Sequence, residues 1–595
     1  MPDGEELPAE GAAAVVDDAD GAAAAYDARP WLAHYPADVP ADFPFPAVAL
    51  TQLLDEAVSG FPDHPAVALG GATLTYRQLR DEVDRLAGGL AGLGVAAGDR
   101  VALVLPNCPQ HVIAFFAVLR LAAVVVQCNP LATADELSRQ LTDCRPSVVV
   151  CLDKSLPTVE SLRGSLDLRA VVVTTLLDYL PRREQLRLRL PLPSVRAERN
   201  RLTGPVPRDA GVVWFQPLIR RSPPARQQPL DPGRDVAVLQ YTGGTTGVAK
   251  AAMLSHANLV ANAYQMRLWL PEATTGRETT LTVLPLFHVY GLTLGLLTTV
   301  LLAGRLVLLP RFELGLLFET IADERPTLFP GVPPIYQAIA DGVRSHGGDL
   351  SSIRVCVSGA MRLPPETQRR FEALSGARLV EGYGTTEASP ATHCNPVQGL
   401  RKPGSVGVPL PGTAARVVDP ADPRQVLPPG EVGELAVRGP QVFLGYWTGP
   451  DEEAEPAEQV LLEDGWLLTG DLAVMDRDGF FSIVERKKDL IIAGGFNIYP
   501  AEVEAVITGL DGVADCCVIG LPDRYRGETV KAFVVPQPGA ELDTAAVQAH
   551  CAAKLSAYKV PKLVEVRAEL PRSAMGKALR RILLAEELSG SEGTS

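Results

Sequence analysis

The segment Tyr241-Thr-Gly-Gly-Thr-Thr-Gly-Val-Ala-Lys250 combines three glycines with three threonines and ends in a lysine. Glycine lets the backbone approach an anion without interference from a Cβ atom, and the threonine hydroxyls add hydrogen-bond donors. The segment therefore predicts a loop that binds phosphate, with an ordinary Gly/Thr turn as the alternative. It is not a Walker A loop, because that motif requires Ser or Thr directly after its lysine, and Ala251 follows Lys250 here.

Length and composition limit the class of protein. The chain has 595 residues, a net charge of −15, 47% hydrophobic residues and 21% charged residues. Because a single core stops growing near about 250–300 residues, at least two domains are expected. The acidic balance argues against general nucleic-acid binding, which depends on basic surfaces. The nine cysteines are not spaced as metal ligands, so they predict reduced thiols in a cytosolic protein.

Neither the N-terminal segment nor the two long apolar runs predict a targeting or membrane segment. Residues 1–40 predict a disordered tail, and no apolar secretory signal follows the acidic start. The runs Val112–Cys128 and Leu292–Leu309 are interrupted by Arg120 and Arg305. Neither reaches the length of about 20 apolar residues that a membrane span needs, so both predict buried core.

From about residue 43 onward, helical patterns alternate with short apolar runs that indicate buried strands, which predicts an α/β architecture with largely parallel sheets. After residue 401, Gly/Pro turns separate short strands, which indicates a β-rich subdomain. A smaller α+β unit then runs from about residue 488 to residue 583.

An arginine-rich insertion at residues 182–230 departs from this scheme. Arg182–Arg201 holds seven arginines against two glutamates, interleaved with leucines. One interpretation is a solvated insertion packed on the domain surface, and the other is a basic, partly apolar patch that contacts an anionic membrane. Pro181, Pro191 and Pro193 prevent one long amphipathic helix, which favours the first interpretation.

A second motif is Glu381-Gly-Tyr-Gly-Thr-Thr-Glu387. Tyr383 could stack on a base, Thr385 and Thr386 could donate to a phosphate, and the Glu387 carboxylate could bind Mg²⁺. A purely structural turn is the alternative.

Two further motifs follow. Trp466-Leu-Leu-Thr-Gly-Asp471 places an acid after a tight turn, suited to accept hydrogen bonds from ribose hydroxyls, and Glu485–Asp489 supplies an arginine nearby. Pro571-Arg-Ser-Ala-Met-Gly-Lys577 holds a lysine beside a glycine turn. Taken alone, that lysine would be interpreted as an ordinary surface residue.

Together and in this order, the four motifs resemble those of the adenylate-forming superfamily of acyl-CoA synthetases, peptide adenylation domains and luciferases. The segments Pro285–Gly291, Leu328–Gly331 and Tyr558–Lys562 are similar to those of bacterial long-chain fatty acid–CoA ligases. The resemblance runs from about residue 45 to residue 585. It implies that ATP and Mg²⁺ activate a fatty acid to an acyl-adenylate, which CoA then converts to a thioester.

The resemblance also implies the domain layout. The expected fold is α/β, with a large N-terminal domain of two α/β subdomains plus a small β-barrel-like subdomain over residues 41–487. A small, mobile α+β C-terminal domain over residues 488–595 would rotate between the two half-reactions. Lys488 would be its hinge, and Gly495 would lie beside the pantetheine tunnel of CoA.

The resemblance assigns roles residue by residue. Residues implied to bind ATP or CoA are Thr242, Gly243, Gly244, Thr245, Thr246, Gly247, Lys250, Gly359, Ala360, Tyr383, Gly384, Thr385, Asp471, Arg486, Lys488 and Gly495. Implied catalytic residues are Lys577, Thr386 and Glu387, of which Glu387 also binds the metal. The acyl side is implied to involve His288, Gly291 and Gly331.

Several alternatives stay open at this level. A fatty acyl-AMP ligase that loads a carrier protein and an aryl-CoA ligase of the coumarate type share the nucleotide motifs. A non-catalytic binding protein is disfavoured, because Lys577, Glu387 and Asp471 are all present. The expected location is cytoplasmic, with peripheral membrane contact and a homodimer both left open and no nucleic-acid partner.

Overall fold

The computed structural model describes residues 19–207, 211–242, 250–449, 460–493, 496–523 and 526–591. Its strands are β1 (Pro65–Leu69), β2 (Ala72–Thr75), β3 (Arg100–Val104), β4 (Val124–Cys128), β5 (Val148–Leu152), β6 (Ala170–Thr174), β7 (Val213–Trp214), β8 (Val236–Tyr241), β9 (Ala251–Ser255), β10 (Thr279–Thr282), β11 (Arg305–Leu308), β12 (Leu328–Gly331), β13 (Val355–Ser358), β14 (Arg378–Gly384), β15 (Ala391–Cys394), β16 (Val408–Pro409), β17 (Ala414–Val418), β18 (Gly433–Arg438), β19 (Leu467–Met475), β20 (Phe481–Arg486), β21 (Ile491–Ala493), β22 (Phe496–Ile498), β23 (Val513–Asp523), β24 (Gly527–Pro536) and β25 (Leu563–Val566).

The α-helices are α1 (Ala19–Asp27), α2 (Leu50–Gly60), α3 (Tyr76–Gly92), α4 (Pro109–Arg120), α5 (Ala134–Cys144), α6 (Leu156–Leu162), α7 (Arg182–Arg187), α8 (Pro193–Leu202), α9 (Phe215–Arg221), α10 (His256–Leu268), α11 (Thr298–Leu301), α12 (Leu314–Glu324), α13 (Pro333–His346), α14 (Pro365–Ser375), α15 (Pro500–Thr508), α16 (Thr544–Lys554) and α17 (Arg580–Ser591).

Two large sheets, mostly parallel, organise the N-terminal part. One has seven strands in the order β7-β6-β5-β3-β4-β8-β9, and only its β8–β9 pair is antiparallel. The other has nine strands in the order β16-β15-β14-β13-β12-β10-β11-β1-β2, with antiparallel pairs at its two ends. Interior strands such as β4 and β5 are buried at every position, as parallel strands covered on both faces must be. The predicted α/β fold is confirmed.

Two smaller sheets complete the architecture. The β-rich subdomain after residue 401 contains the antiparallel sheet β17-β18-β19-β20. The C-terminal part contains β22-β21-β24-β23, with β25 parallel to β24. Together with α15, α16 and α17, this sheet forms the predicted α+β unit.

The two long apolar runs are core elements, as the sequence predicts. Val112–Cys128 divides into most of α4 and the whole of β4, and Leu292–Leu309 divides into a π-helical turn (Gly291–Leu297), α11 and β11. Their apolar side chains belong to one continuous buried cluster in the N-terminal part, apart from those of β4 that face a second cluster. Among the described residues, no helix combines the length and apolar character needed to cross a bilayer.

The predicted N-terminal tail is wrong for its described part, residues 19–40. This stretch contains α1 and a 3-10 turn at Pro30–His34. Tyr26 is 4% exposed and Trp31 is 2% exposed, with the Trp31 ring 6.2 Å from that of Phe481. Two buried aromatics supply enough apolar contact to order a segment whose overall composition is otherwise that of a tail. Residues 1–18 lie outside the described residues.

A short 3-10 turn at Lys487–Asp489 follows β20 and leads into the C-terminal sheet. Most buried apolar residues after it, including Val503, Val518 and Val534, pack into cores of their own, and Met575 is the one that joins the large N-terminal cluster. Separate cores are what independent domains require. The boundary at 487/488 remains a prediction that this packing supports.

Arg120, which interrupts the first apolar run, is 3% exposed at the end of α4. Its guanidinium donates to both carboxylate oxygens of Asp55, at 2.7 and 2.9 Å, and lies 3.0 Å from Asp84. A buried charge is tolerated here because two carboxylates neutralise it.

We expect Arg120→Ala to lower the free energy of unfolding by about 3 kcal/mol, because it removes the buried cation and leaves two partly buried carboxylates with only the more exposed Arg80 nearby. Urea unfolding followed by circular dichroism measures this change. Arg80→Ala is the matched control: Arg80 approaches the same carboxylates at 3.6 and 3.4 Å, but its side chain is 43% exposed, so we expect a loss of at most about 1 kcal/mol. Equal losses in the two variants would contradict the role given to burial.

Candidate active site

One cleft of about 1670 Å³ collects most of the residues singled out in the sequence. Its walls come from both parallel sheets, the four-stranded sheet and the C-terminal domain. The predicted residues that line it are Thr242, Lys250, His288, Gly359, Ala360, Tyr383, Gly384, Thr385, Thr386, Glu387, Arg486, Lys488 and Lys577. The structure therefore brings together four motifs that span more than half of the chain.

The remaining predicted residues need separate mention, and one of them, Asp471, does not line the cleft itself but pairs with Arg486, which does. Gly243–Gly247 and Gly495 lie outside the described residues. Gly291 and Gly331 are described but do not line this cleft. A Cβ atom on Gly291 would lie 2.3 Å from the Pro285 carbonyl oxygen, and one on Gly331 would lie 2.9 Å from the Tyr336 ring. Both glycines are therefore required by close packing just behind the cleft wall.

The ends of the first motif lie at the stem of a hairpin between β8 and β9. The Thr242 backbone N–H donates to the Lys250 carbonyl at 2.9 Å, and the Thr242 hydroxyl reaches the same oxygen at 3.2 Å. The Lys250 ammonium lies 5.3 Å from the centre of the Tyr446 ring. The closed stem fixes both ends of the Gly/Thr segment at the cleft.

The second motif runs along β14 into a 3-10 turn at Thr386–Ala388. Gly384 has no room for a side chain, since its Cβ would lie 1.7 Å from the Pro390 carbonyl oxygen. The Thr385 backbone N–H donates to that same carbonyl at 3.0 Å. The Thr385 hydroxyl is buried and has no hydrogen-bond partner among the described residues, so an acceptor such as a phosphate oxygen would satisfy it.

Tyr446 was not anticipated from the sequence. Its hydroxyl donates to the Glu387 carboxylate at 2.7 Å. The surrounding segment is tied to β9 and to the second motif, because Trp447 N–H donates to Ala251 and Phe443 N–H donates to the Glu387 carbonyl, both at 2.8 Å. The Gly-Tyr-Trp sequence at 445–447 was the available signal, but nothing local indicates a partner 59 residues away.

The third motif forms a compact polar cluster. Asp471, at 5% exposure, accepts a hydrogen bond from the Tyr383 hydroxyl at 2.5 Å and an ion pair from the Arg486 Nε at 3.0 Å. Asp471 and Arg486 are directly opposite each other in the register of β19 and β20. The sheet register therefore sets this ion pair, and the carboxylate keeps acceptor sites for further hydroxyl donors.

Gly359 and Ala360 directly follow β13 and line the cleft, with Ala360 in the left-handed region at φ 67°. Just after them, the Leu363 backbone N–H donates to the Glu381 carboxylate at 3.1 Å. Burial raises the pKa of Glu381 to about 7, opposed by the Leu363 hydrogen bond and by the charge of Arg362. Glu381 thus anchors the loop that carries Gly359 and Ala360, a role not anticipated from the sequence.

Lys577 reaches the cleft from the C-terminal domain, on a turn where the Ser573 N–H donates to the Lys577 carbonyl at 2.8 Å. Its side chain is exposed and lines the cleft. Desolvation and, next, the positive charge of Arg486 lower the pKa of Lys577, while Asp471 and Asp489 oppose them. Lys577 therefore shares its site with a second cation, Arg486, and with two carboxylates that partly offset the positive charge.

His288 lines the opposite side of the cleft, where its Nδ1 accepts from the Tyr290 backbone N–H at 3.2 Å. Burial lowers the pKa of His288 to about 4, so the imidazole is neutral at pH 7. Leu294 and Val289 line the cleft beside it. This wall is suited to apolar contact more than to charge.

The family comparison agrees with this arrangement. A model described as "AMP-binding enzyme" matches residues 54–447, and one described as "AMP-binding enzyme C-terminal domain" matches residues 502–577.

Individual proteins match over nearly the whole chain. A long-chain-fatty-acid–CoA ligase from Bacillus subtilis is 42% identical over 94% of this chain and 98% of its own. A feruloyl-CoA synthase from an Amycolatopsis species is 37% identical over 87% of this chain and 95% of its own. The crystal structure of ATP-bound MatB from Rhodopseudomonas palustris, 30% identical, covers 90% of this chain and 98% of its own with a TM-score of 0.76. This chain is a member of the AMP-binding enzyme family.

Proposed function

We propose that this enzyme is an ATP-dependent fatty acid–CoA ligase. The observation that carries the proposal is the meeting of Lys577, the Thr385–Glu387 turn and Arg486 in one cleft, with Asp471 paired to Arg486 behind it. The 42% identity to a relative named long-chain-fatty-acid–CoA ligase supports the acid class.

In the first half-reaction, a carboxylate oxygen of the acid attacks the α-phosphorus of ATP, a P–O bond forms, and pyrophosphate leaves. Both reactants are anions, so the cationic site has to offset their repulsion. Lys577 would contact the carboxylate and the α-phosphate, and Thr386 would donate to the α-phosphate. The ribose hydroxyls would donate to Asp471, held in place by Tyr383 and Arg486.

In the second half-reaction, the thiol of CoA loses its proton, its sulfur attacks the acyl carbon, and AMP leaves with the electron pair of the broken C–O bond. The C-terminal domain would rotate about Lys488 and present Gly495 to the pantetheine arm. Lys488 is exposed in the turn between the two domains, which is suited to a hinge.

Glu387 would hold Mg²⁺. The described residues contain no group of three acidic, histidine or cysteine ligands, so a protein cage is absent there. A single carboxylate fits a Mg²⁺ ion that takes its other ligands from substrate phosphates and water. Bound there, the ion would neutralise charge on the phosphates, while Tyr446 orients the Glu387 carboxylate.

Location and assembly belong to the same proposal. The nine cysteines are all unpaired and buried, which supports a reducing compartment and hence the cytoplasm. Membrane contact and a homodimer, both left open by the sequence, are tested by vesicle co-sedimentation and by light scattering of the purified protein.

A second candidate is an aryl-CoA ligase, which the 37% identity to the feruloyl-CoA synthase favours. A third is a fatty acyl-AMP ligase that uses a carrier protein. Pyrophosphate release with ATP and Mg²⁺ across acids from acetate to oleate, plus coumarate, with and without CoA, separates the three. The proposal requires sustained turnover on fatty acids that depends on CoA. Turnover on coumarate alone supports the second, and a burst that CoA does not relieve supports the third.

We expect Lys577→Ala to slow adenylate formation at least about a hundred-fold, because one charge that offsets anion repulsion is lost. Thioester formation from supplied acyl-adenylate and CoA should stay within about threefold of the wild-type rate. In the proposed mechanism the rotated C-terminal domain presents Gly495, not Lys577, in that step. Pyrophosphate release and thioester formation measure the two steps. Equal loss of both steps would contradict the division of labour.

The pH profile gives a second test of Lys577. Its protonated form is the active one, and its pKa is lowered, so adenylation should decline with rising pH before the usual lysine value of about 10.4 is reached. In Lys577→Arg, whatever activity remains should lose this alkaline decline, since arginine stays protonated. An unchanged decline would assign it to another group.

We expect Tyr446→Phe to raise the Mg²⁺ concentration for half-maximal adenylation about tenfold, because the Glu387 carboxylate loses the donor that orients it. The ring below Lys250 is retained in this variant. Tyr264→Phe, which removes a hydroxyl away from the cleft, is the control and should change nothing. The same Mg²⁺ dependence in the two variants would overturn the positioning role of Tyr446.

A further inference from the structure

The arginine-rich insertion folds into a helical hairpin, α7 and α8, joined by Leu188–Leu192. Residues 182–201 carry seven arginines and two glutamates, a surplus of five positive charges on a chain of net charge −15. The prolines do prevent one long helix, as predicted, and they produce two short ones instead.

Arg187 holds this hairpin together. It pairs with Glu184 in its own helix at 2.7 Å and with Glu198 of α8 at 2.5 Å. Arg187 therefore pairs with both glutamates of the hairpin. Within the described parts of the chain, no ion pair within 4.0 Å is formed by the six others, which are Arg182, Arg183, Arg189, Arg196, Arg199 and Arg201.

The hairpin also exposes apolar side chains beside these arginines. Leu188 and Val195 are 1% and 7% exposed and anchor the hairpin to the domain. Leu186, Leu190 and Leu192 point outward at 63%, 47% and 53% exposure. Single exposed leucines are ordinary, but three within seven residues, next to unpaired arginines, form an amphipathic patch.

An adjacent groove extends the patch. Its volume is about 330 Å³, and Arg189, Arg220 and Trp214 line it with Asp178, Gln185, Gln216 and Pro217. Trp214 is 40% exposed. An exposed tryptophan beside arginines is the composition found where proteins meet the headgroup layer of a bilayer.

The hairpin lies at the same edge of the seven-stranded sheet as the active site. It follows the carboxyl end of β6, and Gly204 after α8 packs on Asp153 at the carboxyl end of β5. Thr242 follows the carboxyl end of β8 in the same parallel sheet. A membrane in contact with the hairpin would therefore be on the side of the protein that carries the catalytic loops.

We propose that the hairpin patch, defined as Arg182–Arg201 with Trp214 and Arg220, docks on the surface of an anionic phospholipid bilayer. The unpaired arginines match lipid phosphates and the leucines match the acyl boundary, whereas a nucleic acid would leave the leucines without a partner. Only the benefit of docking rests on the proposed function: long-chain acids concentrate in bilayers, so a ligase that uses them would find its substrate there. Docking itself is measured without turnover.

The test is co-sedimentation of the full chain with vesicles of phosphatidylcholine alone or with 30% phosphatidylglycerol. We expect binding only to the anionic vesicles. Arg182→Gln/Arg183→Gln/Arg189→Gln should weaken it on the order of a hundred-fold, and Leu190→Ser/Leu192→Ser about tenfold.

Matched controls remove equal numbers of exposed side chains elsewhere. Arg234→Gln/Arg325→Gln/Arg369→Gln and Leu374→Ser/Leu400→Ser should bind vesicles like the wild type. All variants should release pyrophosphate normally with decanoate in solution. Absence of that activity in every protein, wild type included, would count against the proposed function. The docking proposal would still be judged by vesicle binding alone.

Two outcomes would overturn the docking proposal. One is vesicle binding by the arginine variant that equals that of the wild type. The other is capture of a peptide of residues 1–18, which contains six acidic residues, by the wild type alone, without binding of anionic vesicles. That result would assign the patch to the acidic start of the chain.

Discussion

The concentration of positive charge between the two domains is the constraint on which the active site depends. Arg486 ends β20 at the edge of the N-terminal part, and Lys577 arrives from the C-terminal domain. They are close enough that the charge of Arg486 lowers the pKa of Lys577. Asp471 pairs with Arg486, whereas Lys577 forms no ion pair within 4.0 Å in the described parts of the chain, so the proposed reaction would supply an anionic substrate as its partner. Binding of ATP would then stabilise the docked position of the C-terminal domain, because it relieves repulsion across the interface.

A second ion cluster supports this docked position. Arg580 pairs with Glu504 at 2.7 Å and Asp489 at 3.0 Å, and it lies 3.7 Å from Glu485 on the N-terminal side of the turn. Glu485 also accepts from the Ala501 backbone N–H at 2.7 Å. Two of these contacts, those of Glu485, cross the turn and would break if the domain rotated. The domain rotation proposed above would have to exchange these two contacts.

The sequence predicts the strands of the large parallel sheets well, because each strand is a short apolar run that can be recognised locally. The apolar runs that became β3, β5 and β6 can be located from their composition alone, and the carboxyl ends of such strands point to the site. The described part of the expected tail was misjudged because its order depends on the distant partner of Trp31, Phe481. Tyr446 and Glu381 were missed for the same reason. Their hydrogen bonds are to Glu387 and to the loop at Leu363, and only the folded chain brings those groups together.

The two halves of the active site differ in how far sequence can define them. Nucleotide recognition depends on glycines without room for a side chain and on charges at fixed register, as with Gly384 and the Asp471–Arg486 pair. These requirements leave few acceptable residues, so they remain visible as motifs. The cleft wall beside the neutral His288, which the resemblance implies to be the acyl side, needs only apolar volume, which many sequences supply. Relatives named for a long-chain acid and for feruloyl-CoA are accordingly 42% and 37% identical to this chain. If acid preference follows the shape of that wall, as we propose, it leaves no fixed motif in the sequence, whereas the nucleotide side does.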